Sequence, residues 1–315
     1  MQSRLSFNPK STIYNPKSMR LFIVANPSKP HVRQDLDGWL HWMRQQAVEV
    51  VDVDTDCRTD LGGIEADVVI ALGGDGTLLG AARRLNGKQI PLMGVNFGRL
   101  GFLASFTPEE FPRRFEQLLE GKLPVGRRHM LEASVVEGEF PHRIADPIAV
   151  AERRRFVSTA LNDAVITAGP PFHMVELEIC ADAETGVRYF GDGVIVATPS
   201  GSTAYNISAG GPIVSPGVEA FCITPICPQS LSFRPIVISS RSMVLIRAVR
   251  VNEGTTLFCD GQASTRLCAG DNVIVRRSPN DVLLVENPES HQWRSLAEKL
   301  RWAAPPKYDR GEGGE

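Results

Sequence analysis

The sequence predicts an α/β domain with a parallel sheet and flanking helices, followed by a β-rich, sandwich-like domain. In the first third of the chain, short apolar runs alternate with amphipathic stretches, a pattern typical of parallel βαβ units. From about Met130 onward, many short apolar runs follow one another, bounded by Gly, Asp, Asn or Pro, which is typical of a β-sandwich. A length of 315 residues, with 43% hydrophobic and 22% charged residues, suffices for two cores.

The first domain is predicted to contain four strands joined by helices, and three of them, at 21–25, 68–72 and 91–95, are expected to be buried. We expect the strands at residues 21–25, 50–53, 68–72 and 91–95. We expect the helices at residues 34–46, 78–85 and 108–120. The run 68–72 contains no polar residue, which favours burial on both faces of a parallel sheet. Thr77 is predicted to cap the helix that follows it.

The second domain is predicted to consist of short strands. They are expected at residues 175–180, 194–197, 235–239, 243–248, 256–259, 273–277 and 282–285. Near the end, Trp293, Leu296 and Leu300 recur at helical spacing, so a final helix is expected before Pro305, and it could pack on either domain. Residues 304–315 are expected to be a disordered tail.

Charge and cysteine content exclude several classes of protein. The net charge of −2 gives no global attraction to nucleic acid or to an anionic membrane, and no apolar run has the length of a membrane span. The six cysteines show no C-x-x-C spacing, which favours reduced thiols in a cytoplasmic protein. Residues 1–19 form a basic leader without acidic residues, interpreted as a disordered tail, with an organellar transit peptide as the alternative.

The stretch Gly73-Gly74-Asp75-Gly76-Thr77 follows a predicted buried strand directly. It places one carboxylate at the carboxyl end of a strand, where open α/β sheets bind their ligands. Glycines allow a ligand to approach the backbone, and a helix N-terminus favours a phosphate group there. The alternative is a tight turn with a solvated aspartate.

A second stretch, residues 191–212, is rich in glycine and in hydroxyl side chains. An apolar run, Val194 to Ala197, leads straight into it, and the stretch carries little charge. Hydroxyl and backbone N–H groups close together suit the recognition of ribose, amide and phosphate groups. A flexible linker is the alternative, which the strand and the aromatic Tyr205 disfavour.

Two short motifs are ambiguous by themselves. Asn162-Asp163 sets an amide beside a carboxylate next to a predicted strand, but Asn-Asp is also a common turn pair. Asp260-Gly261-Gln262 lies between two strand-like runs and could be a type I′ hairpin turn with no further function.

Taken together, these motifs make the chain resemble the NAD kinase family over most of residues 20–302. The resemblance rests on the following segments: Gly73 to Thr77, N-x-G-x-L-G-F-L at 96–103, Asn162-Asp163, residues 191–212, Pro225-Ile226-Cys227-Pro228 and Asp260-Gly261-Gln262. G-G-D-G-T is shared with diacylglycerol-type lipid kinases and, in a related form, with phosphofructokinases. The long stretch 191–212 separates NAD kinases from both.

The resemblance implies an active site between two domains, formed by residues 20–122 with 288–303 and by residues 123–287, with the last helix packed on the first domain. It implies transfer of a phosphoryl group from ATP, or in some members polyphosphate, to the 2′-hydroxyl of the adenosine ribose of NAD. A divalent ion such as Mg²⁺ is expected, held largely by nucleotide phosphates and water rather than by a protein metal site. A homodimer or homotetramer is expected, in which one β-rich domain could complete a neighbour's NAD pocket.

Residue by residue, the resemblance makes Asp75 the general base facing the 2′-hydroxyl, with Gly73, Gly74, Gly76 and Thr77 along the phosphate path. The residues it places at NAD are Asp75, Gly76, Asn162, Asp163, His173, Asp192, Ser200, Thr203, Ala204, Tyr205, Asn206, Ile207, Ser208 and Gln262. Many members carry Glu at the position of Asp163, and Phe190 occupies a position linked in the family to discrimination between NAD and NADH.

Other phosphoryl-transfer and nucleotide-binding patterns are missing from the sequence. It contains no G-x-x-x-x-G-K-[ST] motif, and its first strand does not lead into G-x-G-x-x-G. Arg83, Arg84 and Arg99 could help to bind the phosphate donor, or could simply be solvated. The rival interpretations are a lipid or sugar kinase with the same turn, and a non-catalytic protein that senses NAD or NADP.

Overall fold

The computed structural model describes residues 19–46, 48–98, 101–137, 153–182, 185–290, 296–297 and 299. Within these, the helices are α1 Pro30–Gln45, α2 Asp75–Arg84, α3 Phe111–Leu119 and the short α4 Tyr205–Ser208. In chain order, the first nine strands are β1 Arg20–Ala25, β2 Glu49–Asp54, β3 Val68–Gly73, β4 Leu92–Asn96, β5 Val125–Arg128, β6 Leu131–Val136, β7 Arg154–Ala160, β8 Asp163–Thr167 and β9 Val175–Ala181. The next nine strands are β10 Val187–Gly191, β11 Gly193–Ala197, β12 Ala220–Ile226, β13 Ile236–Ser239, β14 Val244–Arg250, β15 Thr256–Cys259, β16 Ala263–Arg266, β17 Asn272–Arg277 and β18 Val282–Val285.

The first sheet has the order β2-β1-β3-β4-β18-β5 and is parallel except for the β18–β5 pair. Helices cover both of its faces. Ile23 of β1 packs in the same cluster as Met43 of α1 and Phe115 of α3, whereas Val24 packs with Leu78 of α2. Burial on both faces explains why β1, β3 and β4 are largely apolar, and the predicted parallel sheet is confirmed.

The remaining strands form two antiparallel sheets that pack face to face. One has the order β10-β9-β14-β17-β6-β7 and the other β13-β12-β11-β8-β15-β16. Their inner faces share one cluster of buried side chains, with Leu177 and Ile246 from the first sheet and Ile166 and Val196 from the second. This arrangement confirms the predicted β-rich second part of the fold.

Three predicted elements differ from the structure. Helix α2 begins at Asp75, with Gly74 in extended conformation as its N-cap, so Thr77 lies inside the helix instead of capping it. Helix α1 begins at Pro30, because proline fits the first turn of a helix, where its missing N–H needs no partner. The run 282–285, expected among the strands of the β-rich part, pairs with β4 and β5 and joins the first sheet.

Several predictions fall outside the described residues. These are the basic leader up to residue 18, Arg99, most of the final helix and the tail from residue 304. Among the described residues, no helix is long and apolar enough to cross a membrane. All six cysteines are free thiols, four of them at least partly buried.

Candidate active site

Asp75 lies where the sequence places it, at the carboxyl end of the central strand β3 and at the start of α2. Its carboxylate accepts hydrogen bonds from three successive backbone N–H groups. Phe102 donates over 2.9 Å, Ala104 over 2.8 Å, and Leu103 lies 3.3 and 3.4 Å from the two carboxylate oxygens. The three contacts orient the half-buried carboxylate from the side of the loop that follows β4.

Two glycines permit this close approach. A Cβ atom at Gly101 would overlap the carboxylate of Asp75, and a Cβ atom at Gly73 would overlap the hydroxyl of Thr77. Asn96, at the end of the neighbouring strand β4, accepts a 2.9 Å hydrogen bond from Gly98 N–H and so shapes the same loop. The ends of β3 and β4 therefore form one surface around Asp75.

The pair Asn162-Asp163 is held in place by Asp260. The carboxylate of Asp260 accepts backbone N–H groups from Leu161 at 2.9 Å, Asn162 at 2.7 Å and Asp163 at 3.2 Å. Asp260 and Gly261 have φ of 53° and 64°, as the two central residues of a type I′ turn require. The predicted hairpin turn is confirmed, and its aspartate has the additional role of positioning Asn162-Asp163.

The side chains of Asp163 and Asp260 are both withdrawn from solvent. Asp163 is 5% exposed. Burial, together with the negative charge of Asp260, raises the pKa of Asp163 to about 7. Burial also raises the pKa of Asp260, against the opposing effect of its three N–H donors and of the positive charge of Arg83.

The hydroxyl-rich stretch folds into a tight loop directly after β11. Thr198 hydroxyl donates to Leu161 carbonyl at 2.5 Å, and Thr198 N–H donates to Asn162 carbonyl at 2.8 Å. The loop backbone also touches that segment closely, since a Cβ atom at Gly201 would overlap the Asn162 carbonyl. Ser200 and Thr203 are therefore brought to the same edge of the sheet as Asp163.

Asn206 stabilises this loop from inside. Its side chain is fully buried and donates to the carbonyl oxygens of Ser202 and Pro212, both at 3.0 Å. Its amide oxygen accepts the hydroxyl of Thr224 at 2.6 Å. Its side chain is thus occupied by the protein, while the neighbouring Tyr205 is exposed on the surface.

Gln262 joins the two parts of the site. Its amide nitrogen donates to Gly76 carbonyl at 2.7 Å, and its amide oxygen accepts from Arg83 at 3.0 Å. Gln262 belongs to the β15–β16 hairpin, whereas both partners belong to α2. The turn around Asp75 and the hairpin that holds Asn162-Asp163 are therefore directly connected.

A cavity of about 450 Å³ opens between the first sheet and the hydroxyl-rich loop. Phe102 and Leu103, whose N–H groups contact Asp75, line one side, and Ser200 and Thr203 line the other. Such a volume and mixed polarity suit a small organic ligand. The cavity thus lies beside the loop that orients Asp75.

Two family models match the chain. One, described as the ATP-NAD kinase N-terminal domain, matches residues 22–123, and the other, described as the ATP-NAD kinase C-terminal domain, matches residues 161–287. The chain belongs to the NAD kinase family. It is therefore a phosphotransferase, and the resemblance noted in the sequence is confirmed.

Curated NAD kinases and solved NAD kinase structures match over most of the chain. The NAD kinase of Geobacter metallireducens is 41% identical over 289 residues, covering 89% of this chain and 96% of its own. That of Rhodopirellula baltica is 36% identical over 286 residues, covering 90% and 87%. A yeast NADH kinase solved with NADH has a TM-score of 0.79 at 25% identity, covering 92% of this chain and 89% of its own. An NAD kinase from Archaeoglobus fulgidus solved with ATP has a TM-score of 0.69 at 28% identity, covering 90% and 99%.

Two of the residues that the NAD kinase resemblance places at NAD lie away from this cluster. Asp163 begins β8, whereas the backbone carbonyl oxygen of Asp192 accepts a 2.7 Å hydrogen bond from Ala168 N–H, just beyond the other end of that strand. His173 follows on the same side and is exposed. A five-residue strand spans about 14 Å, so one chain does not bring His173 and Asp192 next to Asp163.

The arginines predicted to help bind the phosphate donor, and Phe190, lie in different parts of the structure. Arg83 contacts Gln262 within the site. Arg84 instead forms an ion pair of 2.5 Å with Asp54 at the end of β2 and so ties α2 to the first sheet. Phe190 lies under the guanidinium of Arg250, 5.5 Å from its ring centre. Sequence reasoning missed the positioning role of Asp260, although the D-G-Q motif itself was noticed.

Proposed function

We propose that this NAD kinase transfers the γ-phosphoryl group of ATP to the 2′-hydroxyl of the adenosine ribose of NAD, with Asp75 as the general base. The observation that carries the proposal is the position of Asp75. Three backbone N–H groups hold its carboxylate, and two of the donor residues, Phe102 and Leu103, line a cavity of about 450 Å³ that the hydroxyl-rich loop also lines.

Asp75 has room for one further hydrogen bond. A carboxylate offers about four acceptor positions, and three backbone N–H groups use part of them. The 2′-hydroxyl would donate to the remaining position, which aims its oxygen at the γ-phosphorus. Because an aspartate is a weak base toward an alcohol, the proton moves to Asp75 as the new phosphorus–oxygen bond forms and ADP leaves.

The turn from Gly73 to Thr77 would receive the phosphates of the donor. No side chain caps the start of α2, where the helix dipole favours negative charge, although the N–H group of Thr77 already donates to the carbonyl of Gly74 at 3.0 Å. Gly76 is exposed, so its backbone is open to a phosphate. The relative solved with ATP makes ATP the first donor to test, with polyphosphate as the alternative.

A divalent ion such as Mg²⁺ would arrive with the nucleotide. The described residues contain no group of three or more His, Cys, Asp or Glu placed to hold a metal ion. Coordination by phosphate oxygens and water is the usual mode for Mg²⁺ at such sites.

NAD would bind across the edge formed by Asn162, Asp163 and the loop from Ser200 to Ser208, with Gln262 fixing the turn beside it. His173 and Asp192 would serve a neighbouring subunit, because they lie at the other end of β8. This assignment requires a homodimer or homotetramer. Sedimentation analysis, combined with activity rescue between Asp75 and Asp192 variants mixed in one oligomer, tests it.

The direct test is an assay of NADP formation. The purified protein is incubated with NAD and Mg²⁺, together with ATP or polyphosphate, and NADP is measured enzymatically. We expect NADP with ATP. Absence of NADP with either donor, while NAD still binds, would favour the non-catalytic sensing interpretation, and phosphorylation of diacylglycerol or fructose 6-phosphate instead would favour the lipid or sugar kinases.

A further inference from the structure

The carboxyl groups of Asp163 and Asp260 lie close together at the candidate NAD site, but they differ in the number of hydrogen bonds that they accept. Asp260 receives three backbone N–H groups, from Leu161, Asn162 and Asp163. Among the described residues, the carboxyl group of Asp163 receives none, although Asp163 is only 5% exposed. The N–H donors favour the ionised form of Asp260, and nothing comparable favours the ionised form of Asp163.

The groups around the pair reinforce this difference. The positive charge of Arg83 in α2 opposes the rise in the pKa of Asp260 and so favours the ionised form of that carboxyl group. The pKa of Asp163 is instead raised by burial and by the negative charge of Asp260. Cys259, at the end of β15, stays a neutral thiol, because burial raises its pKa to about 12. The residues opposite the pair on the neighbouring strands are uncharged: Ala197 of β11 lies opposite Asp163, and Ala164 of β8 lies opposite Cys259. Asp163 therefore faces one negative charge and no positive one among the described residues.

A third group nearby also lacks a partner. The side-chain oxygen of Asn162 is buried and forms no hydrogen bond within the part of the chain that the structure describes. A buried polar atom without a partner is costly and uncommon, so the side-chain oxygen of Asn162, next to the nearly buried carboxyl group of Asp163, marks a place built for a ligand. The side-chain oxygen of Asn162 can accept a hydrogen bond there. The carboxyl group of Asp163 can donate one if it is protonated and can only accept if it is ionised.

We propose that Asp163 binds the dinucleotide as a neutral carboxylic acid, with Asp260 as its ionised neighbour, and that its O–H group donates a hydrogen bond to an acceptor atom of the nucleotide. This inference rests on the proposed function, since it takes NAD as the ligand. An acceptor of this kind is a carbonyl oxygen or ring nitrogen of the nicotinamide or adenine part, or a ribose oxygen.

The proposal makes the affinity for NAD depend on pH. Since burial and Asp260 raise the pKa of Asp163 to about 7, the free protein loses the required proton above that pH. Binding at higher pH must then take up one proton from solvent. The dissociation constant should be constant at low pH and increase up to about tenfold per pH unit above about 7.

Calorimetric titration of the intact protein with NAD, without a phosphoryl donor, tests this between about pH 6 and about pH 9. Two buffers of different ionisation enthalpy give the number of protons taken up. We expect uptake approaching one proton near pH 8 in the wild type. Asp163→Asn should bind NAD with an affinity that no longer changes with pH and with no proton uptake, whereas the exposed-site control Asp56→Asn should behave like the wild type.

Adenosine and nicotinamide riboside, titrated separately, locate the acceptor, because the half whose binding takes up the proton contains it. A pH-independent affinity for NAD without proton uptake in the wild type would overturn the proposal, even if Asp163→Asn failed to fold. Absence of NAD binding at every pH would instead overturn the proposed function itself. Binding with unchanged proton uptake in Asp163→Asn would assign the proton to another group and would also overturn it.

Discussion

The side chain of Gln262 donates a 2.7 Å hydrogen bond to the carbonyl oxygen of Gly76. This contact joins the β15–β16 hairpin to the turn that carries Asp75, although the two residues are 186 positions apart. Asp260, two residues before Gln262, fixes Asn162-Asp163 through three backbone N–H groups. One hairpin thereby sets the distance between the proposed donor and acceptor sites.

Substitution of Gln262 should lower activity without unfolding the protein. Gln262→Glu keeps the size and can still pair with Arg83, but a carboxylate cannot donate to the carbonyl of Gly76. Gln262→Ala loses both contacts. We expect kcat/KM to fall about threefold to tenfold in each variant, the usual effect of one lost hydrogen bond. Steady-state kinetics with wild-type activity in Gln262→Glu would show that the bond to Gly76 does not matter.

Gly101→Ala should disturb Asp75 directly. The added methyl group would overlap the carboxylate of Asp75, so the loop that donates its N–H groups must shift. We expect kcat to fall about 100-fold, within the range for a misplaced general base. Gly63→Ala is the matched control, because a Cβ atom there meets nothing within 4 Å. Equal kcat in the two variants would argue against the role of this loop.

Asp163→Asn should stabilise the protein at alkaline pH. The pKa of Asp163 is about 7 in the folded protein and 3.8 without the fold, so the native state binds more protons between these values. The free energy of unfolding therefore decreases as pH rises through this window, and the penalty is complete above about pH 7. Denaturant unfolding should show the variant more stable by up to about 4 kcal/mol near pH 8, with little gain near pH 4.

A gain that is the same at both pH values would contradict the buried-carboxyl explanation. The wild-type protein accepts this penalty at one position, while Asp260 beside it is satisfied by three donors. Stability given up at a single buried group is common where that group serves a ligand.

Thr224→Val should loosen the hydroxyl-rich loop. The substitution keeps the shape but leaves the buried amide oxygen of Asn206 without its 2.6 Å hydrogen bond. We expect a loss of about 1–3 kcal/mol in the free energy of unfolding and an increased KM for NAD. Thermal unfolding and kinetics of the surface variant Ser230→Ala provide the control. An unchanged KM for NAD would separate this loop from the dinucleotide.

Much of the fold and of the site follows from local sequence. The strand 68–72 and the carboxylate after it could be placed because an unbroken apolar run and a glycine turn have few other solutions. The start of α2 could not, because Asp75 serves as a helical residue while Gly74 caps it. The sheet that Val282–Val285 joins could not be predicted either, since an apolar run reads the same in parallel and antiparallel surroundings.

Contacts between residues that are far apart in the chain also could not be predicted from the sequence. The D-G-Q motif suggested a hairpin turn, but its hold on Asn162-Asp163 depends on how two strands are placed side by side. The separation of His173 and Asp192 from Asp163 likewise depends on the length and direction of β8. The motifs identify the residues that the family shares, but the arrangement of the strands determines which of these residues lie close together within one subunit.

Single-turnover phosphoryl transfer by Asp75→Asn tests whether Asp75 acts on the 2′-hydroxyl of NAD. NAD binding is measured on the same sample by calorimetry, so that loss of chemistry is separated from loss of the ligand. We predict near wild-type affinity for NAD and a rate of NADP formation lower by about 10²–10⁴-fold. A single-turnover rate close to that of the wild type would show that Asp75 is not the general base.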